Sequence, residues 1–352
     1  VFRRTLLVMS NIDWDAATSV ARRFSGEYPL AGTYHERKFA LAADGYVARA
    51  SELVANETEL ALPGSPVVGV ISRDEWVRTN IASFSVMLAP LVDSSSGSTG
   101  SSRSVAAKVM GAELGAVLGF MSKRVLGQYE LVLPTGDGDH GDTVLFVGAN
   151  VLSMERTHEF RPSHFRFWVA LHECAHRAQF MGVPWLRDYF LSLVSRLIDS
   201  SKPERGRIAR IAAQITNAER TGDDLLGDAG LLGLFASPDQ RTVLNDVQAL
   251  MSLLEGHGHV VMDRIGGREI VDVARMSNVL KARRRDPKTS ALMKLVGIEM
   301  KLKQYDMGAK FINRVEHRAT WGALSMAWES PEALPTLAEI SDPDAWLDRM
   351  HG

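Results

Sequence analysis

Apolar positions recur along most of the chain at helical spacing. The clearest run is Phe165, Trp168, Val169, His172, Glu173, His176 and Phe180, where i, i+3, i+4 spacing carries two histidines along an apolar face. It predicts a helix with Ser163 placed to cap it and Gly182 and Pro184 placed to end it. Upstream, Asp13-Trp14-Asp15 predicts a helix start reaching Phe24, close to Gly26. A second helix is expected over 35–60. Ser72 and Glu75 have capping-box spacing ahead of a stripe of Trp76, Ile81, Phe84, Met87 and Leu88 that stops at Pro90. Further helices are expected over 105–121, 185–199 and 205–220, and after Ser237, with Pro238 at the favoured first position.

Strand-like patterning is scarce. Val67-Val68-Gly69-Val70-Ile71 is short and branched, and the best strands are 128–134 and 143–151. Residues 135–142 between them are rich in Gly and Asp. Gly136-Asp137-Gly138-Asp139 lacks the spacing of a calcium loop and reads as a solvated turn. Gly111, Gly115 and Gly119 repeat every fourth residue, which predicts close packing of one helix on another. Residues 93–103 are Ser/Gly-rich and read as a linker or loop. The expected division is an N-terminal helical region over 1–92, this linker, and a catalytic domain over 104–352.

Composition narrows the classes. The chain has 352 residues, 45% hydrophobic and 23% charged, which is ordinary for a soluble globular protein. A net charge of -2 offers nothing to nucleic acid or to an anionic membrane. Cys174 is the one cysteine, so no internal disulfide forms, and a cytoplasmic location is expected. No stretch reads as a signal peptide or a span. The first apolar run is cut by Asn11, Asp13 and Asp15, and the helix over 105–121 carries Lys108 and Glu113.

The chemistry centres on His172-Glu173-Cys174-Ala175-His176, which matches H-E-x-x-H. Two imidazoles four positions apart share one helix face and can hold one zinc ion, Zn2+. Glu173 stands beside the first of them, where its carboxylate can act as general base on a water activated by the metal. A histidine at 182 would make a metzincin pattern, but the residue is Gly182. A gluzincin needs a glutamate from a second helix, and the apolar face of Val243, Leu244, Val247, Leu250, Met251 and Leu254 leads to Glu255. Glu255 is the expected third ligand, with His259 four residues on placed to orient a ligand histidine. His257 and His259 are the competing ligands. Gly256 and Gly258 flank His257, which suggests tight packing or room for substrate. Tyr305 and His257 are candidate donors to an oxyanion. His158 and His164 read as surface or capping residues, and Lys281-Ala282-Arg283-Arg284-Arg285 as a solvated helix end. The strand over 143–151 comes just before the motif helix, where zincins carry the edge strand that binds substrate.

The chain also resembles a known group. The matching stretches include Asp13-Trp14, Trp76-Val77-Arg78-Thr79-Asn80, Phe146-Val147-Gly148-Ala149-Asn150 and the run from Phe167 to Phe180. Pro184-Trp185-Leu186-Arg187, Leu254-Glu255-Gly256-His257, Val261-Met262-Asp263, Gln304-Tyr305 and Leu334-Pro335-Thr336 continue them. Together they are similar to the actinobacterial zincin-like metallopeptidase family labelled as associated with coenzyme F420 biosynthesis. The resemblance implies a mainly α fold of the α+β kind: a zincin-like domain with a small β-sheet, preceded by an N-terminal helical domain. It implies no substrate, and no deazaflavin-binding motif is present. The expected activity is zinc-dependent hydrolysis of a peptide or protein substrate. Two alternatives are a non-catalytic zinc-containing binding protein and a zinc hydrolase of a non-peptide amide. A fourth protein ligand closing the site, for instance His259, would favour the non-catalytic one.

Overall fold

The computed structural model describes residues 12–26, 28–93, 101–133, 141–199, 238–284 and 300–351. Asp13 opens the first helix, α1 (Trp14–Ser25), by accepting the Ala16 N–H on its carboxylate at 2.8 Å. Helix α2 (Tyr34–Thr58) follows, then strand β1 (Val67–Ile71). Helix α3 (Arg73–Asp93) starts on the expected capping box: the Ser72 N–H donates to Glu75 at 2.7 Å, and the Glu75 N–H donates to the Ser72 hydroxyl at 3.1 Å. It runs past Pro90, where the pattern had predicted a stop.

Helix α4 (Ser101–Ser122) lies against α1 backbone to backbone. A Cβ on Gly111, Gly115 or Gly119 would fall 2.1, 2.3 or 2.6 Å from the carbonyl oxygens of Asp13, Ala17 and Ala21. The glycine repeat therefore does pack one helix on another. Most of the expected linker, residues 94–100, lies outside the described residues, as do the helix over 205–220 and the Gly/Asp turn over 136–139.

Strands β2 (Gly127–Glu130) and β3 (Thr143–Val147) complete a three-stranded sheet in the order β1-β3-β2. β3 pairs in parallel with β1, Val67 opposite Thr143, and antiparallel with β2, Glu130 opposite Thr143. The strand before the motif helix is thus central, and its expected role as the edge strand is corrected. The reason lies in its residues. Val144, Leu145, Phe146 and Val147 are buried, which suits a strand covered on both faces. β2, with Gly127, Gln128 and Glu130, takes the edge. Both strands are shorter than their patterns suggested. The Glu130 carboxylate accepts the Val132 and Leu133 N–H groups at 2.9 and 3.2 Å, and helix α5 (Gly148–His158) starts directly after β3.

The motif helix α6 (Pro162–Gly182) is capped by Arg161 with Pro162 in its first turn, so the cap falls two residues ahead of Ser163. Its residues Phe165–Leu171 are all buried among α2, the sheet and the next long helix. Arg177 is fully buried and anchors α6 to the sheet. Its Nε and Nη2 donate to Asp142 at 2.8 Å each, and Nη2 also donates to the Pro63 carbonyl at 2.7 Å. Helix α7 (Leu186–Asp199) precedes α8 (Pro238–Glu269), which opens at the expected proline. Helices α9 (Val273–Arg284) and α10 (Met300–Arg318) follow. A 3-10 stretch, Trp321–Trp328, leads to the C-terminal helices α11 (Leu337–Ser341) and α12 (Pro343–His351). A second apolar cluster joins α7, α8 and α10 to this C-terminal part. No helix of the described residues is long and apolar enough to cross a membrane.

Candidate metal centre

α6 and α8 cross so that His172, His176 and Glu255 converge, and they are the group among the described residues able to hold a metal ion. The Nε2 atoms of the two histidines are 3.2 Å apart. Glu255 Oε2 stands 3.8 Å from each of them. Donor atoms about 2.1 Å from a common centre in tetrahedral arrangement lie roughly 3.4 Å from one another. The triangle is therefore of the right size and chemistry for zinc. Histidine exposures of 20% and 16% leave the site accessible to solvent, while Glu255 is buried.

Glu173 is buried beside this triangle. Burial, and then the charge of Glu255, push its carboxyl up to about 8, against the opposing pull of a hydrogen bond from the Tyr129 N–H. β2 approaches closely here. A Cβ on Gly127 would lie 2.6 Å from Glu173 Oε1, so any larger residue there would displace the Glu173 side chain. Gly127 carries no pattern that marks it, because its partner comes from another element.

His176 is held from behind by Gln179, one turn along the same helix: Nδ1 lies 2.9 Å from Gln179 Oε1. The Gln179 amide nitrogen reaches the Leu254 carbonyl at 2.9 Å and His257 Nδ1 at 3.0 Å. Gln179 was missed in the sequence, although its i+3 spacing from His176 places it on the ligand face.

The other sequence candidates sit elsewhere. His257 is buried, 5.8 Å from the Trp321 ring and near parallel to it, and edge-on to Trp328. Burial, and then the charge of His176, push it down to about 3, so it is neutral. Its Nδ1 faces Gln179 and not the metal triangle. His259 directs Nε2 to Asp263 Oδ2 at 3.5 Å, on its own helix. The Tyr305 side chain lies outside the described ones. Gly256 meets α10 at Gly308, where its Cβ would fall 2.3 Å from the Gly308 carbonyl carbon. Gly258 faces the ligand rings, its Cβ position 3.5 Å from His176 Cε1. Tight packing thus explains the first glycine, and the second stands over the site.

Comparison with known proteins places the chain in a family. A crystal structure from Chloroflexus aurantiacus, described as a candidate hydrolase with a novel fold, is similar over 97% of this chain and 99% of that one, with 28% identity and a TM-score of 0.71. No curated protein matches the chain. The model of one family, described as zincin-like metallopeptidase, matches residues 12–347. With that match over nearly all of its length, this chain belongs to the zincin-like metallopeptidase family.

Proposed function

We propose that the chain is a zinc-dependent hydrolase, a metallopeptidase of gluzincin type, with His172, His176 and Glu255 as ligands and Glu173 as general base. The observation that carries this reading is the triangle of Nε2, Nε2 and Oε2 atoms, 3.2 to 3.8 Å on a side, with a buried carboxyl next to it. Zinc held there would polarise a scissile carbonyl and acidify a water. Glu173 would take the proton of the attacking water on a carboxylate oxygen and return it to the leaving nitrogen. Burial and the Glu255 charge raise the proton affinity of this carboxyl in the metal-free fold, and a cation bound by Glu255 would counter that rise. β2, the edge strand beside Glu173, offers the line along which an extended peptide would lie.

A closed, structural zinc site would need a fourth protein donor. His259, the residue offered for that part, turns to Asp263 instead. Kinship with the actinobacterial branch belongs to the same reading and rests on the sequence matches around Trp76, Phe146 and Trp168.

The test is Glu173→Gln, assayed on a peptide library and on a library of non-peptide amides. We expect zinc bound as in the parent chain and turnover lowered by about 10²–10⁴-fold. Undiminished turnover would sink the mechanism. Turnover of the non-peptide amides alone would move the assignment from peptidase to amide hydrolase.

A further inference from the structure

We infer that Gln179 is the positioning residue of the metal centre: its side-chain amide sets the tautomer of His176 and ties the ligand helix α6 to the backbone just ahead of Glu255. This rests on the zinc reading above. The Leu254 carbonyl can only accept a hydrogen bond. The Gln179 nitrogen must therefore be the atom 2.9 Å from it. That fixes the amide orientation, so the atom 2.9 Å from His176 Nδ1 is the oxygen. An oxygen there can only accept, so His176 carries its proton on Nδ1. Its Nε2 then presents a bare lone pair towards His172 and Glu255, as a metal ligand must.

The second amide hydrogen goes to His257 Nδ1 at 3.0 Å, which makes His257 the Nε2–H tautomer. All three polar contacts of the amide are thus used, and Gln179 has no exposed surface. Rotating the amide by half a turn would set oxygen against the Leu254 oxygen and nitrogen against His176 Nδ1. That state loses hydrogen bonds and masks the ligand nitrogen with a proton. One side chain thereby couples the two helices that supply the ligands, at the residue preceding Glu255.

The experiment measures imidazole nitrogen shifts by NMR on the full chain stripped of metal, with His176 and His257 assigned by substitution. We expect His176 protonated at Nδ1 and His257 bare at Nδ1; the reverse tautomer at His176 overturns the inference. Gln179→Met keeps the length and removes all three contacts. It is expected to weaken zinc binding by about 10–100-fold in chelator competition and to leave His176 a mixture of tautomers. Parent-like affinity, with only a lowered melting temperature, would reduce Gln179 to a structural residue and overturn the inference. Should Gln179→Met fail to fold, the tautomers of the parent chain decide. A parent chain that binds no zinc would defeat the functional reading, while the tautomer measurement would still judge the orientation of the amide.

Discussion

Glu173 is a carboxyl that folding makes hard to ionise. Its ordinary value of 4.5 rises to about 8 in the metal-free fold. Between these two values the folded chain keeps a proton that the unfolded chain has lost. This group therefore lowers stability progressively as pH rises from about 4.5 to 8 in the absence of metal. Denaturant melts of the metal-free chain across that window should show the decline, and Glu173→Gln should flatten it. An unchanged slope in the variant would remove Glu173 as its source. Gly127 gives a second prediction at this scale. Gly127→Ala would push Glu173 off its position, since the added Cβ would sit 2.6 Å from Oε1. Turnover should fall while zinc affinity holds; equal losses in both would mean that the strand itself had moved. His172, Glu173 and His176 were legible as a motif because one helix turn brings them together. Gln179 was legible in principle by the same spacing. Gly127 was not, because its neighbour Glu173 lies on a helix that only tertiary packing brings against β2.

Elements were read well where one periodicity dominates. The run through α6, the proline opening α8 and the glycine repeat of α4 all appear as the pattern suggested. The sheet departs from its pattern. A strand of branched residues does not state its place in the sheet order, and β3 took the centre because both of its faces could be buried. The crossing of α8 and α10 is the most demanding contact. Gly256 and Gly308 meet so closely that a Cβ on Gly308 would fall 1.8 Å from the Ser252 carbonyl oxygen. Gly256→Ala improves helix propensity yet must force the helices apart. A net destabilisation of about 1–3 kcal/mol is expected, and denaturant titration measures it. A gain in stability would show that the α8–α10 contact accommodates the added methyl. Because Glu255 precedes Gly256, the same variant should also weaken zinc binding.

For the molecule as a whole, the ligands come from two helices far apart in the chain, and a metal would bridge them. Zinc that binds only the folded state adds about 2.7 kcal/mol at a hundred times its Kd. Thermal melts should therefore shift upward with zinc and return with chelator. His176→Ala and Glu255→Ala should each abolish the shift; a full shift in Glu255→Ala would reassign the third ligand. The overall character of the chain, mainly helical with a small sheet, was present in its periodicities, as was the histidine pair of the candidate metal site. Those properties are local: a helix face and a histidine pair depend on residues within a turn of one another. That Glu255, and not His257 or His259, meets the histidine pair, the edge position of β2 and the Gln179 contacts all depend on how α6, α8, α10 and the sheet pack. Close packing selects one side chain among neighbours of similar chemistry, and no pattern along the chain records which one.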